Sequence, residues 1–236
     1  MRISRPTDLT RIIDQTQYLL LDFDGPICSI FTGTPASTVA NQLRNLLLSD
    51  GVPLHEPPPQ VDDPLEVLRF TSSLGPAAAE RVESALRAAE LAASRTARPT
   101  PHAREVILAC QQTGRPVAII SNNSQVAVEA YLAAHGLAQH VDVVVGRVEP
   151  HPNLLKPSPH LVLRALRALN SPPRSSTLVG DSVSDIESAH AAGTHSVGFA
   201  NKPGKYERLG RAGAGAVVTT LAELEAALLA QGASAN

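Results

Sequence analysis

Short, uniformly apolar runs alternate along most of the chain with longer segments whose apolar residues recur at helical spacing. The runs at 18–24, 116–121, 141–146, 177–180, 195–199 and 216–219 do not switch polarity at every second residue. Strands read that way when helices cover both faces of a parallel sheet; a half-exposed sheet alternates instead. Helices fit between them at 101–112, 124–135, 159–169 and 222–230. For the first, Thr100 is the expected N-cap, Pro101 occupies the first turn and Gly114 lies near the end. Gly136 closes the second, and Pro172 and Pro173 stop the third. The pattern predicts an α/β fold with a Rossmann-like parallel sheet.

One stretch departs from this alternation. About ninety residues without a convincing strand separate the first strand from the second, where a crossover needs only a dozen or so. Helical patterns occupy 35–48, 63–73 and 76–95, and Pro57, Pro58 and Pro59 form a stiff connection before the second of them. The Ala-rich segment 77–93 reads as an exposed helix. The expected organisation is therefore an α/β core at 1–27 and 99–236 and an inserted α-helical subdomain at 28–98, with hinges at 27–33 and 97–100.

Composition narrows the function. Among 236 residues, 20 basic and 22 acidic side chains nearly cancel to a formal charge of −2. That argues against a polybasic nucleic-acid binder and against an acidic tail. Hydrophobic residues make up 43% while aromatics are 3% with no Trp, so Ala, Leu and Val pack the core and a base-stacking surface is not expected. Two cysteines, Cys28 and Cys110, are too few for a disulfide framework and suit a reducing compartment. No apolar run approaches the ~18 residues of a membrane span, and the first residues lack a signal peptide's apolar stretch. The expectation is a soluble cytoplasmic protein that binds neither nucleic acid nor membrane, its oligomeric state left open.

Four short segments carry chemistry. Leu19-Leu20-Leu21-Asp22-Phe23-Asp24-Gly25 ends an apolar run in two carboxylates, at the strand end that borders the ligand crevice of an open parallel sheet. Two like charges at i, i+2 on a strand share a face, which is unfavourable unless a cation lies between them or one takes a proton. The alternative is a plain Asp-Gly turn. Val179-Gly180-Asp181-Ser182-Val183-Ser184-Asp185 places two more carboxylates four apart, on one face of a starting helix, where each could also be only a cap or a first-turn charge. Ile119-Ile120-Ser121-Asn122-Asn123-Ser124 runs into a hydroxyl and amides before a helix, a place where unpaired N–H groups hold anions or an N-cap sits. Lys156, before Pro157 at a loop-to-helix junction, is aimed by a fixed backbone or is simply a solvated charge. Four carboxylates, a hydroxyl, an anion nest and a lysine are the inventory that binds Mg²⁺ and a phosphate together.

These motifs, in this order, resemble the haloacid dehalogenase-like (HAD) hydrolase superfamily, in particular its phosphoglycolate-phosphatase-like branch with a small helical cap. The resemblance rests on Asp22-x-Asp24-Gly25, Ser121, Lys156, and Gly180-Asp181 with Asp185, and spans nearly the whole chain. It implies Asp22 as nucleophile, Asp24 as general acid and base, and Ser121, the Asn122 backbone N–H and Lys156 as phosphate ligands. It also implies Mg²⁺ on Asp22, the Asp24 carbonyl, Asp181 and Asp185. The implied reaction is Mg²⁺-dependent hydrolysis of a small phosphorylated metabolite through an aspartyl-phosphate. A phosphomutase, or a non-catalytic binding module on the same fold, are the alternatives. A halide leaves without a proton, so Asp24 and a divalent cation suit a phosphate ester better than a halogenated acid. Pro26 departs from the family pattern and removes one N–H donor. Cys28 reads as an apolar filler, and His190 and His195 have no zinc-ligand spacing. Arg44, His55 and Arg69 are possible cap contacts, each also at home on a surface.

Overall fold

A computed structural model describes residues 6–49 and 57–232. In chain order the elements are α1 (Pro6–Gln15), β1 (Tyr18–Asp22), β2 (Cys28–Ser29), α2 (Ala36–Ser49), α3 (Pro64–Phe70), α4 (Pro76–Ser94), β3 (Arg98–Pro99) and α5 (Ala103–Gln112). They continue with β4 (Val117–Ser124), α6 (Gln125–Ala134), β5 (Val143–Arg147), α7 (His160–Ala168), β6 (Ser176–Gly180), α8 (Val183–Ala192), β7 (His195–Phe199), α9 (Lys205–Arg211), β8 (Ala216–Val218) and α10 (Leu221–Gly232). Six strands form one parallel sheet in the order β5-β4-β1-β6-β7-β8.

The uniformly apolar strands are explained by the two faces they serve. Leu19, Leu21, Val117, Ile119, Val179 and Val197 pack with α1, α5, α6 and α10 on one side. The intervening Leu20, Ala118, Ile120 and Leu178 pack with α7 and α8 on the other. Both sets are removed from water, so period-two patterning disappears from the sequence while it persists in the fold. Among the described residues no helix is long and apolar enough to cross a membrane.

The insertion packs α2, α3 and α4 around a hydrophobic cluster of its own, in which Val39, Leu43, Leu47, Val67, Leu68, Val82 and Leu86 meet. It joins the core through a two-residue antiparallel ribbon, with Cys28 opposite Pro99 and Ser29 opposite Arg98. That ribbon lies inside the two expected hinge segments.

Two expectations are corrected here. Thr100 does not cap α5: the N-cap is His102, in the left-handed region at φ 64°, and the Thr100 hydroxyl instead donates to the Gly25 carbonyl at 2.6 Å. The threonine thus ties the segment after β3 to the loop after β1. The Ala-rich helix is exposed on one face only. The α4 face carrying Ala78, Val82, Glu83, Leu86, Glu90 and Ala93 is buried. α1 and the seven-residue α9 escape prediction.

Candidate active site

The sheet order leaves β1 in two directions, to β4 on one side and to β6 on the other. Open α/β sheets form their ligand crevice at the carboxyl ends of strands around such a switch point. Asp22 is the last residue of β1, and Asp181 directly follows β6. Ser121 lies where the β4–β5 register shifts between Ile120 and Ser124, so the chain bulges out at the crevice. Lys156 approaches from the loop before α7. A cleft of about 670 Å³ is lined by these residues together with Asp24, Asn122 and, from the insertion, Asp63, Arg69 and Glu90.

Asp22, Asp181 and Asp185 come together: a carboxylate oxygen from each lies within 4.8 Å of the others. Two glycines make the approach possible. Gly25, at φ +118°, and Gly180 each lie where an added Cβ would collide with a carboxylate side chain, of Asp181 and Asp185 respectively. Lysines answer the concentrated charge. Lys156 Nζ donates to Asp22 Oδ1 at 2.6 Å, to Asp185 Oδ1 at 2.5 Å and to the Ile120 carbonyl at 3.3 Å. Burial opposes the Lys156 charge, yet Asp185 and Asp22 more than reverse that, and its pKa stands above the ordinary lysine value. Burial, and after it the charge of Asp185, pushes the Asp22 carboxyl well above the usual carboxylate range in spite of Lys156.

Asp24 stands apart from the three-carboxylate cluster. Its Oδ1 accepts the Ile30 backbone N–H at 3.0 Å, which fixes the carboxyl at the entrance to the insertion. Its surface reaches the water of the cleft, but the walls around it displace much of its hydration and push its pKa up to about 6, with the Asp181 charge adding to the rise. Asp185 also completes a capping box with Ser182 at the start of α8: the Ser182 hydroxyl and N–H both donate to Asp185 Oδ2, at 2.6 and 3.0 Å. Cap and cluster member are thus one residue, each oxygen serving a different role.

Of the remaining expected residues, Ser121 is buried, and its hydroxyl is bonded to the Asn123 side chain at 3.1 Å and to the Asn123 N–H at 3.0 Å. The Asn122 side chain grips the Lys156 backbone from both sides, accepting its N–H at 2.8 Å and donating to its carbonyl at 3.3 Å. Arg69 reaches the same carbonyl at 2.8 Å. Arg44 turns away, to the Val61 carbonyl and Asn41, and His55 lies outside the described residues. Cys28 is buried, with its pKa raised by burial, as expected of an apolar filler.

Sequence reasoning missed Lys205 and Asn201, which both donate to Asp181 Oδ2, Asn201 at 3.0 Å. It also missed Arg147, Glu83 and Glu90, a buried cluster between β5 and α4. A charged residue on a helix reads as a solvated face, and nothing local marks a partner dozens of residues away. The donor set at Asp22, Asp181 and Asp185 fits a hard divalent cation, which takes carboxylate and carbonyl oxygens. Beside it, the buried Asn201 Oδ1 has no donor among the described residues.

A family profile described as haloacid dehalogenase-like hydrolase matches residues 68–199, more than half of the chain. A putative pyrophosphatase PpaX from Caldanaerobacter subterraneus subsp. tengcongensis is 34% identical over 94 residues, 40% of this chain and 42% of that protein. The phosphoglycolate phosphatase of Escherichia coli K12 is 33% identical over 99 residues, 42% of this chain and 38% of that protein. The chain thus matches these curated relatives over about two-fifths of their length. In fold it resembles CbbY from Rhodobacter sphaeroides, solved in complex with phosphate, with a TM-score of 0.65 at 21% identity over 90% of this chain and 99% of that one. With the profile spanning the region from α3 to β7, the chain belongs to the haloacid dehalogenase-like hydrolase family.

Proposed function

We propose that the protein is a Mg²⁺-dependent phosphatase that hydrolyses a small phosphate monoester through an aspartyl-phosphate on Asp22. The observation that carries this reading is the Lys156 ammonium held between Asp22 and Asp185 at 2.6 and 2.5 Å, with the Asp181 carboxylate beside them. A dianionic phosphoryl group cannot approach an anionic nucleophile unless fixed cations offset the repulsion. Asp22 Oδ attacks phosphorus as the ester P–O bond breaks, and the protonated form of Asp24, made more accessible by a pKa pushed up to about 6, gives its proton to the departing alkoxide. Asp24 then takes a proton from the water that attacks the same phosphorus, which releases phosphate and restores Asp22. Ser121 and Lys156 hold phosphoryl oxygens, while Asp22, Asp181, Asp185 and the Asp24 carbonyl hold the metal. When bound, Mg²⁺ supplies charge neutralisation to the phosphoryl oxygens.

The helical insertion acts as a cap, with Arg69 at the cleft and the β2–β3 ribbon as its hinge. A cleft of about 670 Å³ suits a small phosphorylated metabolite. Buried free thiols at Cys28 and Cys110 agree with a reducing cytoplasm. The test is release of free phosphate from a panel of metabolite phosphates. We expect activity that EDTA abolishes and Mg²⁺ restores. Chloride release from 2-chloropropionate that persists in EDTA, or phosphoryl transfer without release, would overturn the reading.

A further inference from the structure

The buried cluster between the insertion and the core reaches further into the site than its position suggests. Glu90, near the hinge end of α4, is fully buried and accepts four hydrogen bonds. Its Oε1 takes the Asn123 side-chain amide at 3.0 Å and Arg147 Nη1 at 3.2 Å; its Oε2 takes the Ser124 backbone N–H and Arg147 Nη2, both at 2.8 Å. That fills the acceptor sites of a carboxylate and leaves its orientation no freedom. Arg147 Nη1 donates in turn to the Asn122 carbonyl at 2.6 Å, and its Nε donates to Glu83. Three consecutive residues of the bulged turn that ends β4, Asn122 to Ser124, are thereby held by one ion pair whose halves come from the insertion and from β5.

The hold extends to Ser121. Asn123 is fixed at both ends: its amide nitrogen by Glu90, and its amide oxygen by the Ser121 hydroxyl at 3.1 Å. One side chain alone separates a carboxylate on the insertion from the hydroxyl at the floor of the cleft. We infer that Glu90 is a positioning residue for the phosphoryl-binding turn, acting through Asn123 on Ser121, so that the seating of α4 against β5 sets the shape of that turn. The inference rests on the phosphatase reading, in which Ser121 holds phosphoryl oxygens.

Glu83 provides an internal control. It lies two helical turns before Glu90 on the same face of α4 and pairs with the same Arg147, but no hydrogen bond joins it to the turn. A purely structural clasp would respond alike to the loss of either charge, whereas a positioning role would not.

The experiment compares the full chain with Glu90→Gln, Glu90→Asp and Glu83→Gln in Mg²⁺. It measures the dissociation constant of inorganic phosphate by titration calorimetry, and kcat and KM on p-nitrophenyl phosphate. Inorganic phosphate probes the turn without any leaving-group contact. Glu90→Gln should weaken phosphate at least ~10-fold, the scale seen when groups that orient a ligand are lost. Glu83→Gln should change it less than ~2-fold, although both lower thermal stability. Glu90→Asp keeps the charge with a shorter reach and should fall between the two. If Glu90→Gln does not fold, Glu90→Asp against Glu83→Gln decides the question in the same way. Equal phosphate affinity in the Glu90 and Glu83 variants would overturn the positioning role alone. A parent chain that releases no phosphate would overturn the phosphatase reading, and this role with it.

Discussion

Two buried clusters of opposite charges lie side by side in this molecule and do different things. In the crevice at the carboxyl ends of the central strands, Asp22, Asp181 and Asp185 face Lys156 and Lys205. Between α4 and β5, Glu83 and Glu90 face Arg147, with Arg87 at 3.9 Å from the outer Glu83 oxygen. The second cluster is matched in charge and built on a planar guanidinium fork that meets carboxylates in fixed directions. The first has three carboxylates to two point-like ammoniums, and burial together with Asp185 lifts the Asp22 carboxyl far from its ordinary range. Saturated hydrogen bonding at Glu90 makes its cluster a structural joint, although the outer Glu83 oxygen has no hydrogen-bond partner among the described residues and burial raises the pKa of that carboxyl too. A surplus of like charge facing a cleft makes it a place that gains from a cation and an incoming ligand.

The sharpest way to break the comparison is to remove one group from each cluster and measure both properties. Asp22→Asn keeps the shape of the side chain but is a poor nucleophile. Phosphatase turnover should fall at least ~1000-fold. The melting temperature should stay within a few degrees, because Lys156 retains Asp185 and a buried like charge is gone. Arg147→Met should do the reverse to stability. It strands two buried carboxylates, at a cost of ~3–5 kcal/mol, or a drop of roughly 10 °C for a chain of this size. Near-normal turnover in the first variant, or an unchanged melting temperature in the second, would erase the distinction.

A smaller effect separates the clusters by ligand. Mg²⁺ should raise the melting temperature of the parent chain, by the equivalent of ~2.7 kcal/mol at a hundredfold excess over its dissociation constant. EDTA should reverse the shift. Asp181→Asn should lose it and Glu83→Gln should keep it. A shift of equal size in both variants would mean that the cation binds elsewhere.

The crevice cluster was legible in the sequence and the other was not, for a physical reason. Asp22, Asp24, Asp181 and Asp185 follow apolar strands within a few residues, so local sequence carries both their position and their company. Lys156 was marked by the proline after it. Glu90 and Arg147 are 57 residues apart, and their pairing exists only once α4 lies across β5. The exposed alanines Ala77, Ala88 and Ala92 make α4 read as a surface helix, while its opposite face carries Glu83 and Glu90 into the interior. Lys205 was hidden likewise in α9, a short helix with no strong cap. The strands were readable because two covered faces leave an unbroken apolar run, whereas Thr100 misled because a good capping residue is equally good at bridging two loops.

A third acid tests whether saturation alone, without burial, makes a joint. Glu223 in the first turn of α10 has one carboxylate oxygen, Oε1, accepting from the backbone N–H groups of Thr219 and Thr220 at 2.9 and 3.0 Å and from their hydroxyls at 2.9 and 3.3 Å. This is the back-reaching half of a capping box. What burial there is would raise its pKa, but the bonds from Thr219 and Thr220 outweigh it, and the carboxyl sits below its ordinary value. A depressed folded-state pKa means that the stabilisation is present in full above the unfolded-state value, near 4.3, and is lost as pH falls through the folded-state one. Because the side chain is exposed, the contribution should be under ~1 kcal/mol. Glu223→Gln should therefore lower the melting temperature at pH 7 by no more than ~4 °C, with phosphatase activity unchanged. The gap between variant and parent should narrow in urea titrations as pH falls below the ordinary carboxylate range and the parent becomes protonated too. A gap of undiminished size there would mean that shape, and not charge, does the capping, and that solvent has reduced the saturated carboxylate to an ordinary polar contact.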